Sequence, residues 1–163
     1  MTKLNRISLI NREQLSSIIK FIDENNDEFN YFKKIGWNIK NIESQFSKDN
    51  NYSLGYFDYN NLLGVLIGET IKNDKEYDLE LHIIFVSKDQ RRKKIATKLL
   101  NYIEKKNLNF SKIFVEVAED NVEAISFYQK NNFVFLNFRH NYYRYNDKNI
   151  HAKCFIKNIN NDG

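Results

Sequence analysis

One stretch of the chain restricts the fold more than any other. From residue 79 to 130 it reads as strand, cationic turn, helix, strand and helix. The apolar run "LHIIFV" leads through four consecutive cations, Arg91 to Lys94, into a segment where Ile95, Leu99 and Ile103 share one helical face. "KIFVEVAE" then reads as a strand and "DNVEAISFYQKNN" as a short helix, with Asp120 and Glu123 spaced as a capping box at its start. Two strands joined through a helix lie parallel in one sheet, and the crossover between them is right-handed.

The flanking segments set antiparallel elements around this parallel unit. "NRISLI" reads as a first strand. "REQLSSIIKFIDENN" places Leu15, Ile18, Ile19 and Ile22 at helical spacing, and "NIKNIESQF" repeats the pattern with Ile39, Ile42 and Phe46. Between these helices, "DEFNYFKKIGWN" reads as an aromatic-rich connection holding Tyr31, Phe32 and the single tryptophan, Trp37. "YSLGYFDY" and "LLGVLIGETI" are strands separated by Asn60 and Asn61, a tight hairpin turn, and "YDLELHIIFV" is a third. "FVFLNFRHNYYRY" and "HAKCFIKNI" close the chain as two strands around the polar turn "NDKN". The order β-α-α-β-β-β-α-β-α-β-β predicts an α+β fold, a mixed and mostly antiparallel central sheet of about seven strands packed by about four helices. No repeat or low-complexity linker divides the chain, so residues 1–159 are expected to form a single domain and residues 160–163 a polar tail.

Composition narrows the class of protein. A chain of 163 residues with 42% hydrophobic and 15% aromatic content is globular in character and long enough to bury a core. It has no apolar run of membrane-spanning length and no charged-then-apolar leader, so no membrane association is expected. The one cysteine, Cys154, has no internal partner, which favours a reducing, cytoplasmic setting, and it reads as a small apolar filler. The net charge of +4 accompanies an excess of Asn, Lys and Ile typical of an AT-rich codon choice, and singles out no polyanionic partner. His82, His140 and His151 lack metal-ligand spacing, so no metal is expected.

Two local features carry chemistry. At a helix N-terminus, unpaired N–H groups and the helix dipole favour an anion, and Arg91 to Lys94 add attraction for phosphates. The same cations also read as a solvated helix end, although there they oppose the dipole unless an anion compensates. In "IFVEVAE", alternation puts Ile113, Val115 and Val117 on one face and Phe114, Glu116 and Ala118 on the other. A lone carboxylate between apolar neighbours is either solvent-facing or held in place for use as a base. Tyr128, twelve residues after Glu116, falls on the following short helix, where tyrosine is also a common core filler.

Taken together, "VSKDQRRKKIATKLL", "VEVAEDNVEAISFYQKNNF" and "RHNYY" resemble the GCN5-related N-acetyltransferase (GNAT) superfamily, and the order of elements over nearly the whole chain is similar to that fold. The closest likeness is to the RimI type, which acetylates the N-terminal alanine of a small-subunit ribosomal protein. It rests on "GWN" before a helix, on the spacing from Glu116 to Tyr128, and on "RHNYYRY".

The resemblance implies acetyl-CoA as donor and a protein N-terminus as acceptor, with no direct nucleic-acid binding. By it, the backbone of Ile84, Phe85 and Val86 pairs with the pantetheine arm along a strand edge left open by a splay. Arg91, Arg92, Lys93, Lys94, Ile95 and Ala96 cradle the pyrophosphate, and Asn121 holds the arm from the other side. Glu116 takes the place of the general base, acting through a water, and Tyr128 that of the acid that protonates the departing thiolate. Trp37, Tyr142 and Tyr143 line the acceptor groove. Three positions depart from the pattern: Lys94 stands where the phosphate loop has its middle glycine, Asn131-Asn132 where a helix ends in x-Gly, and Ile83 where the RimI type commonly has Asn. Two other functions fit the same residues: acetylation of a small amine such as a polyamine or amino sugar, for which "DENNDE" at 23–28 is the acidic cluster available, and a non-catalytic CoA-binding module.

Overall fold

The computed structural model describes residues 4–106 and 109–159; the tail expected at 160–163 lies outside them. Seven strands form one sheet: β1 (Asn5–Ile10), β2 (Asn51–Asp58), β3 (Asn61–Lys72), β4 (Tyr77–Val86), β5 (Phe110–Ala118), β6 (Val134–Tyr145) and β7 (Lys148–Asn158). Their order is β1-β2-β3-β4-β5-β7-β6. The pair β4–β5 is parallel and every other neighbouring pair antiparallel. The helices are α1 (Leu15–Glu24), α2 (Asn26–Lys34), α3 (Ile39–Phe46), α4 (Ile95–Lys105) and α5 (Val122–Lys130). The α+β fold with a seven-stranded mixed sheet is as the sequence predicts. No helix of the described residues is long and apolar enough to cross a membrane.

Apolar periodicity explains the layering. Leu99, Leu100 and Ile103 of α4 pack with Leu79 and Leu81 of β4 and with Ile113, Val115 and Val117 of β5, all fully or nearly fully buried. On the opposite face, Ile18, Phe21 and Ile22 of α1, Phe29 of α2 and Ile42 and Phe46 of α3 cover Val65, Ile67, Ile83 and Phe85. The four β4 residues are all odd-numbered: a bulge at His82, between the pairs Ile67↔Ile83 and Gly68↔Leu81, turns the strand's faces over, so Leu79 and Leu81 feed one core and Ile83 and Phe85 the other.

Three local expectations are corrected. The aromatic connection between the first two helices is itself a helix, α2, so five helices pack the sheet. Its aromatic residues have modest helix propensity, but Phe29 and Phe32 fall three apart and set their rings 5.3 and 6.1 Å from Phe85. Asp27 and Glu28 in the first turn and Lys33 and Lys34 in the last suit the dipole. Gly36, at φ +102°, ends α2; Gly36 N–H donates to the Lys33 carbonyl (3.1 Å) and Trp37 N–H to the Phe32 carbonyl (2.9 Å), a Schellman closure. The β2–β3 turn is Tyr59–Asn60, since Asp58 pairs with Asn61. The N-cap of α5 is Asn121, whose side chain accepts from Ala124 N–H at 3.2 Å, and the expected Asp120 box does not form.

The C-terminal hairpin turns on Asn146 and Asp147 alone, both at positive φ, as a two-residue turn between right-twisted strands requires. At the end of α5, Asn132 takes φ +67° in place of a glycine. Its N–H donates to Gln129 and that of Phe133 to the Tyr128 carbonyl, and the Phe133 ring packs on Tyr128 at 5.2 Å.

Phe29 is 1% exposed and joins α2 to the sheet. Phe29→Ala is expected to cost about 3–5 kcal/mol, measured as a lowered midpoint in urea unfolding, with the loss concentrated in hydrogen-exchange protection of α2.

Candidate active site

The site begins where the parallel pair parts. Pairing of β4 with β5 ends at Leu81↔Val115, while β4 runs on to Val86 and β5 to Ala118. Ile84, Phe85 and Val86 pair with Leu66, Val65 and Gly64 of β3 on one side, and no strand pairs with them on the β5 side. Their backbone groups on that edge are available to an extended ligand. Beyond Val86 the chain passes through a short 3-10 turn, Lys88–Gln90, to α4. Arg91 to Lys94 are exposed, Lys93 Nζ donates to Gln90 Oε1 (3.0 Å), and Ile95 is buried beneath them with Ala96 half-buried.

The backbone of this turn bears on its chemistry. Arg92 (φ 64°) and Lys94 (φ 60°, ψ 24°) are both left-handed, and Lys94 is the N-cap of α4, with no side chain capping the first turn. The N–H groups of that turn remain for an anion. Lysine therefore adopts the glycine-type conformation instead of reshaping the loop, at a cost of roughly 1–2 kcal/mol for a side chain in this region. An open strand edge leading to an uncapped, cation-flanked helix N-terminus fits an extended arm ending in phosphates.

A second group of residues lies around Glu116. A groove of about 420 Å³ is lined by Glu80, Phe114, Glu116, Leu136, Arg139 and Cys154 among others. Arg139 Nη1 donates to Glu116 Oε1, and the Arg139 guanidinium lies 4.0 Å from the centre of the Tyr142 ring. A bulge places these groups: His140, Asn141 and Tyr142 of β6 stand opposite His151 alone on β7, with Asn141 at φ 52° and its N–H donating to His151 Nδ1 (2.9 Å). Tyr143 packs against Tyr142 at 4.9 Å. Burial raises the Tyr142 and Tyr143 phenols, with the Glu116 charge adding to it, so both stay protonated near neutral pH.

Tyr128 is 6% exposed in the α4–α5 core, and burial pushes its phenol well above the ordinary tyrosine value. Asn121 spends its Oδ1 on the α5 cap and keeps its amide N–H groups for other partners. Trp37 packs on His82 (5.3 Å), beside Glu69 and Glu80, the last of which lines the groove from β4, while Tyr142 adjoins it on β6 through the Arg139 guanidinium. Within that group burial would raise the Glu69 carboxyl, but Lys48 Nζ at 2.6 Å and His82 at 3.6 Å more than offset it.

Sequence reasoning missed three neighbours. Arg139 is the arginine of "RHNYY", quoted there without a role. Cys154, read as a small apolar filler, lies directly opposite Glu116 in the β5–β7 register; burial and the Glu116 charge raise its thiol, which keeps it protonated. Only cross-strand register reveals that pairing. Tyr31, in the stretch read as a connection, reaches the end of β5: the Asn121 side chain and the Ala118 backbone act on its hydroxyl.

Lys94→Gly is expected to stabilise the protein by about 0.5–1 kcal/mol, since relief of left-handed strain exceeds the added chain entropy. A rise in melting temperature with the helix content unchanged checks this, and a fall would mean the lysine side chain carries stabilising contacts of its own.

Comparison with known proteins agrees with this fold. The fold is similar to that of a probable acetyltransferase from Staphylococcus epidermidis (TM-score 0.79, 18% identity, covering 96% of this chain and 100% of that one). It is also similar to Arabidopsis thaliana NAA60 in complex with acetyl-CoA (0.75, 16%, 95% and 98%). A third likeness is to the ribosomal-protein alanine N-acetyltransferase of Escherichia coli (0.72, 20%, 98% and 97%). No curated protein matches the chain by sequence. The model of the acetyltransferase (GNAT) family matches residues 18–133, which span the open edge of β4, the cationic turn, Glu116 and Tyr128. The chain belongs to the acetyltransferase (GNAT) family and is an acetyl-CoA-dependent N-acetyltransferase.

Proposed function

We propose that the acceptor is the N-terminal α-amine of a protein, a small-subunit ribosomal protein of the alanine type being the first candidate, in a cytoplasmic setting. The observation that carries this reading is the groove along β5, β7 and β6. Its lining is largely apolar, with Glu80 and Asn137 beside the Glu116–Arg139 ion pair, and Tyr142, paired with Tyr143 on the edge strand, lies against the Arg139 guanidinium. Such a surface suits an extended chain end. Structures similar in fold include NAA60 with a bisubstrate analogue and the ribosomal-protein alanine enzyme.

Acetyl-CoA, when bound, supplies an acetyl group activated on its thioester sulfur. The open edge of Ile84, Phe85 and Val86 hydrogen-bonds the arm, and Arg91, Arg92, Lys93, Lys94, Ile95 and Ala96 surround the pyrophosphate at the α4 N-terminus. The Asn121 amide holds the arm from the α5 side. Glu116 takes a proton from the acceptor ammonium through a water. Arg139 holds one carboxylate oxygen and orients the other toward the groove. An α-amine, with a pKa of about 7.7–8.0 against about 10.4 for lysine, gives up that proton with little help. Tyr128, kept protonated by burial, delivers its proton to the sulfur as the C–S bond breaks, and the proton that the nitrogen sheds as the amide forms restores the phenol. Trp37, Tyr142 and Tyr143 border the acceptor.

A small-amine acceptor is the second reading. Glu69 and Glu80 favour it, since with His82 they gather within 4.8 Å on β3 and β4, a better-placed acidic group than residues 23–28.

Following CoA release with Ala-starting and Met-starting peptides and with spermidine tests both. Turnover on the Ala-starting peptide is expected, with Glu116→Gln and Tyr128→Phe each lowering kcat/KM about 10²–10⁴-fold; turnover on spermidine alone would move the acceptor to small amines. Because burial raises Tyr128, loss of its proton is expected to limit kcat only above about pH 10. A kcat–pH profile whose alkaline limb vanishes in Tyr128→Phe but lies near pH 8 in the wild type would contradict that assignment.

A further inference from the structure

The Tyr31 hydroxyl is buried and completes no hydrogen bond among the described residues. A buried phenol without a partner is costly where phenylalanine would pack as well. The same helix uses phenylalanine at 29 and 32, so the hydroxyl at 31 is not a packing requirement. Ring packing and two ion pairs fix its place. Phe29 and Phe32 set α2 against Phe85 of the open β4 edge. Lys34 Nζ lies 3.5 Å from Asp120 and Lys88 Nζ 3.8 Å from Glu28, which ties α2 to the loops that follow β5 and β4. Tyr31 is thereby held across the gap between the two parted strands, with Ala118, Asn121 and Tyr128 around its hydroxyl.

We propose that the Tyr31 hydroxyl is a second phenolic contact to the thioester end of acetyl-CoA, beside Tyr128. This rests on the placement of the donor in the β4–β5 splay given above. Tyr31 donates a hydrogen bond and keeps its proton, while Tyr128 gives its proton up. Burial raises the Tyr31 phenol, with the Asp120 charge adding to it, and outweighs the opposite pull of the nearby Asn121 side chain and Ala118 backbone. Neither of these completes a hydrogen bond to it, and the hydroxyl stays a donor at neutral pH. The contact satisfies the orphan hydroxyl only when the donor is bound, so α2 gains a bond on loading that the free protein lacks.

Calorimetric binding of acetyl-CoA and of desulfo-CoA, which lacks the sulfur and the acetyl group, tests this with Tyr31→Phe beside wild type. The variant is expected to bind acetyl-CoA about ten-fold more weakly and desulfo-CoA equally well, with a melting temperature in the free state no lower than that of wild type. A lowered melting temperature with equal loss for both ligands would make the hydroxyl a structural partner of Asn121 and overturn the proposal. Unchanged affinity for acetyl-CoA would overturn it as well. Full turnover by Glu116→Gln and Tyr128→Phe, with the Tyr31→Phe selectivity still present, would sink the acid and base roles and leave this contact standing.

Discussion

The parting of β4 from β5 is the constraint on which the rest of the molecule depends. A parallel pair needs a crossover helix, and α4 fills that role by burying Leu99, Leu100 and Ile103 on both strands. The pair holds hydrogen bonds only as far as Leu81 and Val115. Beyond that, β4 remains anchored to β3 and β5 to β7, so each strand is held from its outer side while the inner edges stay unpaired. Unpaired backbone inside a sheet is normally avoided. Here it opens at the carboxyl ends of the parallel strands, where ligands of α/β sheets bind.

Everything with chemistry is attached to that opening by short, specific backbone devices. Lys94 and Arg92 accept left-handed geometry so that α4 can start at its mouth. Asn132 closes α5 and clamps Phe133 on Tyr128, so the helix end that lacks a glycine also locks the phenol. Gly36 closes α2 and aims Trp37 at His82. The β6 bulge brings Arg139 and Tyr142 to Glu116. In the last three cases a single residue at positive φ (Asn132, Gly36 or Asn141) sets where a neighbouring side chain stands.

Electrostatics separates the two sides of the opening. Burial, with the Glu116 charge adding to it, keeps the Tyr142 and Tyr143 phenols and the Cys154 thiol protonated on the β6–β7 side, and burial does the same for Tyr128 on the α5 side. Arg139 offsets part of that negative charge and is half-exposed, so its ion pair steers the carboxylate more than it stabilises the fold.

Periodicity along the chain was enough to read the seven strands as they follow one another, the helix that makes β4 and β5 a parallel crossover, and the two faces of β5, because each is written in residues close together. The weight of the spacing from Glu116 to Tyr128 came from the family resemblance. The family resemblance pointed to the open edge of β4. The helical state of residues 26–34 was hidden, since its aromatic residues are indifferent helix formers and only their packing on Phe85 selects the helix. The meeting of Glu116 with Cys154 and Arg139, and of Tyr31 with Asn121, was hidden for a related reason. Cross-strand register and the β6 bulge decide which distant residues face each other, and neither leaves a local signal in the chain. The amino-acid sequence by itself determined every strand, four of the five helices and the residue types available for catalysis. Which of them converge was decided by the sheet, through the outer-edge pairing that holds β4 and β5 apart.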